Sequence, residues 1–340
     1  IGNTKTSRGV IVLANNAEAR FGGGFPGSLI EFTADDEGIK LGKVVQIYSF
    51  EHSILGRPQI QEMDQSLSRY AGVKTLTLKD SSNYMYWPTN AEYISKYYEL
   101  YTGNSLDTVI MVTPTVLKSW LNIVGSVYLK QYDLTVTADN FSTLVQYEVE
   151  NGVDKQSGKD PKDILNVLLQ EVIDNSKQIH LYDLMQLDKS FDKLVVNKQI
   201  AAYSKSKSIS DSLNKLGIVQ DNYSSENFIQ FAESNHSPDK STPYIDNAIE
   251  VDVEAVANSN NKLSFKHTVY MDRKHTSDYL YPYTEAYQTD SNGNPLKRWI
   301  VGINRSILRF AIPIKSNLDN LDLNKLDALE GNEDNRLKTV

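Results

Sequence analysis

At 340 residues the chain is long for one hydrophobic core, so two domains are the natural expectation. Its 43 acids outnumber 35 bases, and the net charge of -8 repels a phosphate backbone; the short basic clusters Lys205–Lys207 and Lys297–Arg298 read as solvated faces, so nucleic acid is not an expected partner. The absence of cysteine excludes disulfides, thiolate metal sites and a cysteine nucleophile, and no apolar run approaches the roughly 18–20 residues that span a bilayer. Ile1-Gly-Asn-Thr lacks the charged-then-apolar pattern of a signal peptide, so any membrane anchor is expected to lie outside this chain.

Arg8–Ala14 (RGVIVLA) is a short β-branched, apolar run and predicts a buried strand. The glycine-rich loop Asn15–Ser28 follows, then Leu29–Ala34 (LIEFTA) as a second strand closing at the turn Asp35–Gly38. Lys43–Phe50 (KVVQIYSF) predicts a third strand. Thr89-Asn-Ala-Glu92 has the spacing of a capping box and Gly103 suits a left-handed cap, which predicts a helix between them. Tyr93, Tyr97 and Tyr101 recur every four residues on it; the face reads as packing on a sheet, with a sugar-stacking platform as the alternative.

Leu106–Val112 predicts another buried strand, and Thr113-Pro114 opens a helix that stops at Gly125. Strand Asp133–Val136 leads to a cap near Thr137–Asp139 and the helix Phe141–Glu150. This alternation indicates an α/β fold: a layered α/β/α domain with a mixed central sheet. Residues 152–227 read as largely helical, with helices over Lys162–Asn175, Leu181–Val195 and Ser210–Leu216 and a short strand at Ile200–Tyr203. Phe228–Ala232 returns to β. From Ile245 apolar residues alternate with acids, and Leu263, Phe265, Val269 and Met271 continue the theme beyond the turn Asn258–Asn261, which predicts a long hairpin. Trp299–Ile314 supplies a further strand. The expected organisation is an α/β domain over 8–244, a β-rich, sandwich-like region over 245–316, and a polar tail or linker over 317–340.

Gly22-Gly-Gly24-Phe-Pro-Gly27 satisfies G-x-G-x-x-G as a string, but a strand follows where the dinucleotide fingerprint needs a helix. The five histidines, His52, His180, His236, His267 and His275, form no H-x-x-x-H pair, and there is no P-loop, no G-x-S-x-G elbow and no calcium loop. Consecutive glycines let main-chain amides approach an anion, and Arg20 is shaped for bidentate contact with phosphate or carboxylate. Asn16 and Ser28 add neutral donors, so the candidate ligand-binding set is Asn16, Arg20, Gly22, Gly23, Gly24 and Ser28. The same residues suit a tight turn in which Arg20 pairs with Glu18, and residue types alone leave both readings open.

The stretch Ile11–Ser28 (IVLANNAEARFGGGFPGS) resembles the opening of the bacterial family called domain of unknown function 4012. Asn83–Glu92 (NYMYWPTNAE), Leu106–Leu117, Thr135–Tyr147 and Glu233–Val253 resemble further family segments in the same order, so the resemblance runs from Gly9 to about Tyr270. The family is in turn distantly similar to the LytR-CpsA-Psr proteins, membrane-anchored enzymes that move glycopolymers from a polyprenyl-pyrophosphate carrier onto the cell wall. The resemblance implies an extracytoplasmic, cell-surface protein, membrane-anchored or secreted. It implies a cell-wall glycan or lipid-linked glycopolymer as partner, with a homo-oligomer or surface assembly as a further possibility. Arg20 would stand where an arginine of the R-S-D-T motif contacts pyrophosphate, Glu51 and Asp80 would act as base or metal ligand, and magnesium is the cofactor to expect if there is one. Glycines replace the Ser-Asp of that motif, and Ser49-Phe-Glu-His52 stands where a second Arg-Asp pair is expected. Those departures remove phosphate neutralisation and a magnesium ligand. The expected function is binding of an anionic glycan or polyprenyl-pyrophosphate-linked ligand, with phosphotransfer to glycopolymer as its catalytic extension. The alternative is a non-catalytic surface protein that keeps the fold for interaction.

Overall fold

A computed structural model describes residues 6–51, 76–177, 190–219, 227–237, 240–257, 263–276, 304–313, 315–317, 331–334 and 337–339. The chain divides into two compact units, Ile1–Asp221 and Asn222–Val340.

The first unit is built on a mixed five-stranded sheet flanked by helices, which is the layered α/β fold expected. Strand β1 (Ser7–Asn15) buries Val10, Val12 and Ala14. It pairs antiparallel with β2 (Phe25–Asp35), which in turn pairs with β3 (Gly38–Gln46). On its other side β1 runs parallel to β4 (Thr108–Val112), in register from Gly9↔Thr108 to Leu13↔Val112. A parallel neighbour requires a long crossover. Helix α1 (Ile47–Glu51), the 3-10 turn Leu78–Asp80 and helix α2 (Trp87–Thr102) lie in that connection. Strand β7 (Ile200–Ser204) closes the sheet antiparallel to β4, giving the order β3-β2-β1-β4-β7.

Two local expectations shift for identifiable reasons. The strand expected over Lys43–Phe50 ends at Gln46, and Ile47–Glu51 is helical. The helical turn buries Ile47 fully and lays the Phe50 ring 6.1 Å from Tyr98 and 6.0 Å from Tyr101, so tertiary packing overrides β propensity. Helix α2 starts at Trp87, with Pro88 in its first turn, so Thr89 lies inside the helix and is not its cap. The capping box instead belongs to Thr77 and Asp80, on the 3-10 turn. Gly103 ends α2 as expected, at φ 74° with its N–H on the Glu99 carbonyl at 2.8 Å.

The aromatic face of α2 is a packing face. Tyr97 and Tyr98 are buried; their hydroxyls donate to the Leu76 carbonyl at 2.9 Å and to Glu31 Oε1 at 2.5 Å. Tyr93 stacks on Tyr84 with ring centroids 5.1 Å apart.

A second core of the same unit lies among α3 (Pro114–Val124), the ribbon of β5 (Val127–Leu129) and β6 (Leu134–Val136), α4 (Phe141–Asn151) and α6 (Asp163–Ser176), with the single-turn α5 (Val153–Gln156) between the last two. Leu121, Leu129, Val136, Ile164 and Leu168 are its buried centre. Thr113 caps α3 in position and Pro114 opens it, as the sequence predicts. Of the helix expected over Leu181–Val195, residues 190–195 are helical and the part before 190 lies outside the described residues. Helix α7 (Lys207–Lys215) follows β7.

The second unit is strand-rich. Strands β9 (Ile245–Ala257) and β10 (Leu263–His275) pair over their whole length from Ile245↔His275 to Ala257↔Leu263; the turn Asn258–Asn261 lies outside the described residues. A separate sheet has the order β12-β13-β11-β8, formed by β8 (Gln230–Asn235), β11 (Ser306–Pro313), β12 (Gly331–Asp334) and β13 (Leu337–Thr339). The stretch expected to be a polar tail thus contributes two short strands, because backbone pairing with β11 does not depend on an apolar pattern. Arg273 anchors the ribbon's base: Nη1 donates to Glu233 at 2.5 Å and Asn247 at 2.6 Å, and Nη2 to Asn304 at 2.6 Å.

Burial raises the Tyr97 and Tyr98 phenols to about 12, with the negative charge of Asp80 adding at Tyr97 and the bond to Glu31 adding at Tyr98. The unfolded chain releases these protons near pH ~10, before the folded one does. Stability is therefore complete below pH ~10 and falls as pH rises through about 12. Urea midpoints measured across that range should decline while tyrosinate absorbance lags in the folded protein. Two buried tyrosines titrating together with the exposed ones in native protein would contradict this packing.

Candidate functional site

Asn15 ends β1 and starts the loop. Its Oδ1 accepts the Ala17 N–H at 3.1 Å, an Asx turn, and its Nδ2 donates to Glu18 Oε1 at 3.3 Å. The loop then folds on itself: the amide of Gly23 donates to the Arg20 carbonyl and that of Phe25 to the Glu18 carbonyl, both at 2.9 Å. Gly22 N–H reaches outward to the Ser82 carbonyl at 2.9 Å, tying the loop to the segment before α2.

The glycines are needed for this packing. A Cβ on Gly22 would lie 2.5 Å from Asn90 Nδ2 and 2.7 Å from Ser82 Oγ, and one on Gly24 would lie 2.6 Å from the Asn15 carbonyl. Asn90 is itself fixed, donating to the Tyr84 carbonyl at 2.7 Å and accepting the Tyr84 N–H at 2.9 Å. Two of the amides that an anion cradle would use, those of Gly22 and Gly23, therefore already have protein acceptors.

Arg20 Nη1 donates to the Ala19 carbonyl at 2.8 Å, and its guanidinium carbon sits 5.2 Å from the centroid of Phe25, a cation–π contact. Burial lowers its pKa, while the negative charges of Glu18 and Asp80 oppose that shift; an arginine remains cationic throughout. Glu18 and Asp80 thus share the field of Arg20, which is the kind of internal pairing the tight-turn reading expects. Asp80 is buried, and its Oδ2 accepts from the Thr77 amide at 3.0 Å and the Thr77 hydroxyl at 2.9 Å. It closes a 3-10 turn. Glu51 is the last residue of α1, and its side chain lies outside the described residues.

Asn16 Nδ2 donates to Thr115 Oγ1 at 3.3 Å, joining the β1 loop to the first turn of α3. Ser28 is buried in β2 and accepts from Lys162 Nζ at 3.1 Å; the same ammonium donates to the Gly27 carbonyl at 2.5 Å. Sequence reasoning missed Lys162. It stands 134 positions from Ser28, at the cap of α6, and no local pattern marks such a contact. Among the described residues no three acids or histidines are placed to hold a metal ion. No helix among them is long and apolar enough to cross a membrane.

The loop lies beyond the carboxyl ends of the parallel neighbours β1 and β4, the edge at which open α/β sheets take their ligands. An α/β unit with a mixed sheet and an arginine-bearing loop at that edge is the class the fold defines. Residues 6–149 match the family described as "Protein of unknown function (DUF4012)". Solved structures with similarity to the chain include Lin1025 from Listeria innocua, at 10% identity over 80% of this chain and 93% of that one, with a TM-score of 0.34. TagV from B. subtilis is 11% identical over 78% and 91% of the two chains, with a TM-score of 0.34. The transcriptional regulator yvhJ from Bacillus subtilis is 12% identical over 78% and 92%, with a TM-score of 0.29. No curated protein sequence matches.

The packing argument separates two glycines. Gly24→Ala drives a methyl into the Asn15 carbonyl and should cost several kcal/mol or prevent folding. Gly27→Ala meets the Lys162 ammonium at 3.4 Å and the Phe25 ring at 3.8 Å, ordinary contact distances, and should stay within about 1 kcal/mol of the parent. Denaturation midpoints of the two variants give the comparison, and equal midpoints would mean that the loop follows a different path.

Proposed function

We propose that the first unit is an extracytoplasmic cell-envelope domain that binds an anionic glycan or a polyprenyl-pyrophosphate-linked ligand at the edge formed by Asn15–Ser28. The observation that supports it most directly is Arg20, held half-buried over Phe25 beyond the carboxyl ends of β1 and β4. A guanidinium fixed before the ligand arrives loses little freedom on binding, and partial burial strengthens its field. Asn16 and Ser28 are the neutral members of the proposed set, with Lys162 fixing the Gly27–Ser28 backbone. The glycines act by letting the loop pack, so Gly22, Gly23 and Gly24 shape the site. Transfer to a glycan hydroxyl would need, in addition, a carboxylate base, the role proposed for Glu51 and Asp80. In that reaction Arg20 would stabilise the charge on the departing pyrophosphate.

Arg20→Ala should weaken binding of a polyprenyl pyrophosphate by at least about ten-fold, as loss of a charged hydrogen-bonding partner implies. Isothermal titration of purified protein would measure it, and parental affinity in the variant would sink the proposal.

A second reading, a non-catalytic surface protein engaged in interaction, is favoured by the ribbon of the second unit. Val253, Leu263 and Phe265 are 55%, 63% and 47% exposed on its apolar face. An isolated two-stranded ribbon is marginal in water, and such a face normally has a partner. In this reading the protein self-associates in sedimentation experiments and Phe265→Lys makes it monomeric. A parent that sediments as a monomer at every concentration would remove the self-assembly form of this reading.

A further inference from the structure

The turn before β7 carries an isolated cation at the same sheet edge. Lys198 adopts φ 53°, a left-handed conformation uncommon for a residue with a long side chain, in the turn where its N–H reaches the Val195 carbonyl at 2.9 Å. The neighbouring Gln199 locks this turn to the start of α3: its carbonyl accepts the Thr113 N–H at 3.1 Å and its Oε1 accepts the Thr113 hydroxyl at 2.6 Å. Strand register then sets the lateral order. Leu13 pairs with Val112 and Val112 with Ile200, so the β1 loop, the Thr113–Thr115 turn and the Lys198 turn lie side by side. Two strand spacings, about 10 Å, separate the first from the third. Asn16 already bridges half of that span through Thr115.

Lys198 differs from the other lysines whose ion pairs are described. Lys40, Lys155, Lys177 and Lys207 each face a carboxylate, whereas the Lys198 ammonium has no hydrogen bond or ion pair among the described residues. It is nevertheless partly buried, and burial alone lowers its pKa. A desolvated, unpaired ammonium on a strained backbone is costly, and such costs concentrate where a ligand completes the site.

We propose that Lys198 is the second cation of the anion site, facing Arg20 across the first turn of α3, and that the two select a diphosphate over a monophosphate. This rests on the reading of the Arg20 loop as an anion site. Arg20 takes one phosphoryl group and Lys198 the other, while the Asn16–Thr115 bridge fixes the spacing between them.

Titration calorimetry with inorganic phosphate, inorganic pyrophosphate and geranylgeranyl pyrophosphate tests this in the parent, Arg20→Ala, Lys198→Met and Lys198→Arg. Lys198→Met should weaken both pyrophosphates by about ten-fold or more and leave phosphate nearly unchanged. Lys198→Arg should retain most of the affinity. The melting temperature of Lys198→Met should equal or exceed that of the parent, because an unpaired charge has been removed. Equal affinity for the two pyrophosphates supports a free diphosphate as ligand, and tighter binding of the prenylated form supports a lipid carrier. If Lys198→Met binds pyrophosphate like the parent while Arg20→Ala does not, this inference alone is overturned. If it loses all three ligands together with melting temperature, the role of Lys198 is structural and the inference is again overturned. A parent that binds no pyrophosphate, or an Arg20→Ala variant that binds it normally, overturns the Arg20 reading and this one with it.

Discussion

The parallel pairing of β1 with β4 governs what the first unit can present at its surface. Two adjacent strands running the same way release their chains at the same edge, so the loop after β1 and the helix start after β4 are forced side by side. The antiparallel neighbours β2 and β7 then bring Phe25 and the Lys198–Gln199 turn to that edge from the other direction. Asn16, Arg20 and the Lys198 turn, proposed for the anion site, sit at this edge, and Ser28 and Asp80 are tied to it by a hydrogen bond or a charge. A sheet of wholly antiparallel hairpins would have divided these loops between two ends.

Within that frame the glycine run has a meaning different from the one its composition suggests. Runs of glycine are read as backbone offered to a ligand, and here the nearer consequence is backbone offered to the protein. Ser82 and Asn90 come so close to Gly22, and Asn15 to Gly24, that no side chain fits at either. The loop is thereby pinned to the 3-10 segment that holds Asp80, and Arg20 is brought into the field of that carboxylate. Packing of the glycines and placement of the arginine are one event. This is how a loop can be conformationally specific without donating its own amides.

Much of the first unit was legible because its signals are local. The apolar runs at Arg8–Ala14 and Leu106–Val112, the Thr113-Pro114 start and the Gly103 and Gly125 stops each depend on neighbouring residues, and each appears at or near its expected place. Where the outcome depended on a distant partner, local patterns misled. Phe50 reads as strand and is helical because two tyrosines of α2 receive it; Thr89 has the spacing of a cap, yet Pro88 and Trp87 carry the helix past it. The same division holds at the site. Arg20 and Asn16 lie in a recognisable string, whereas Lys162 and the Lys198 turn reach the edge only through tertiary contacts, 135 positions apart for Lys162 with Gly27 and 86 for Gln199 with Thr113. A motif search finds the loop and misses what surrounds it.

The charges at this edge are unequal in a way that bears on function. Arg20 has acidic company in Glu18 and Asp80, so its field is partly answered inside the protein. Lys162 is turned to a carbonyl and a hydroxyl of β2, and its contacts fix backbone. Burial lowers the pKa of Lys198 with no opposing charge contribution. A fully answered set of charges would favour the empty state, and a fully unanswered set would destabilise the fold. In the proposed anion site, one compensated and one uncompensated cation would sit between these limits, stable enough to fold around Arg20 while leaving Lys198 for the ligand.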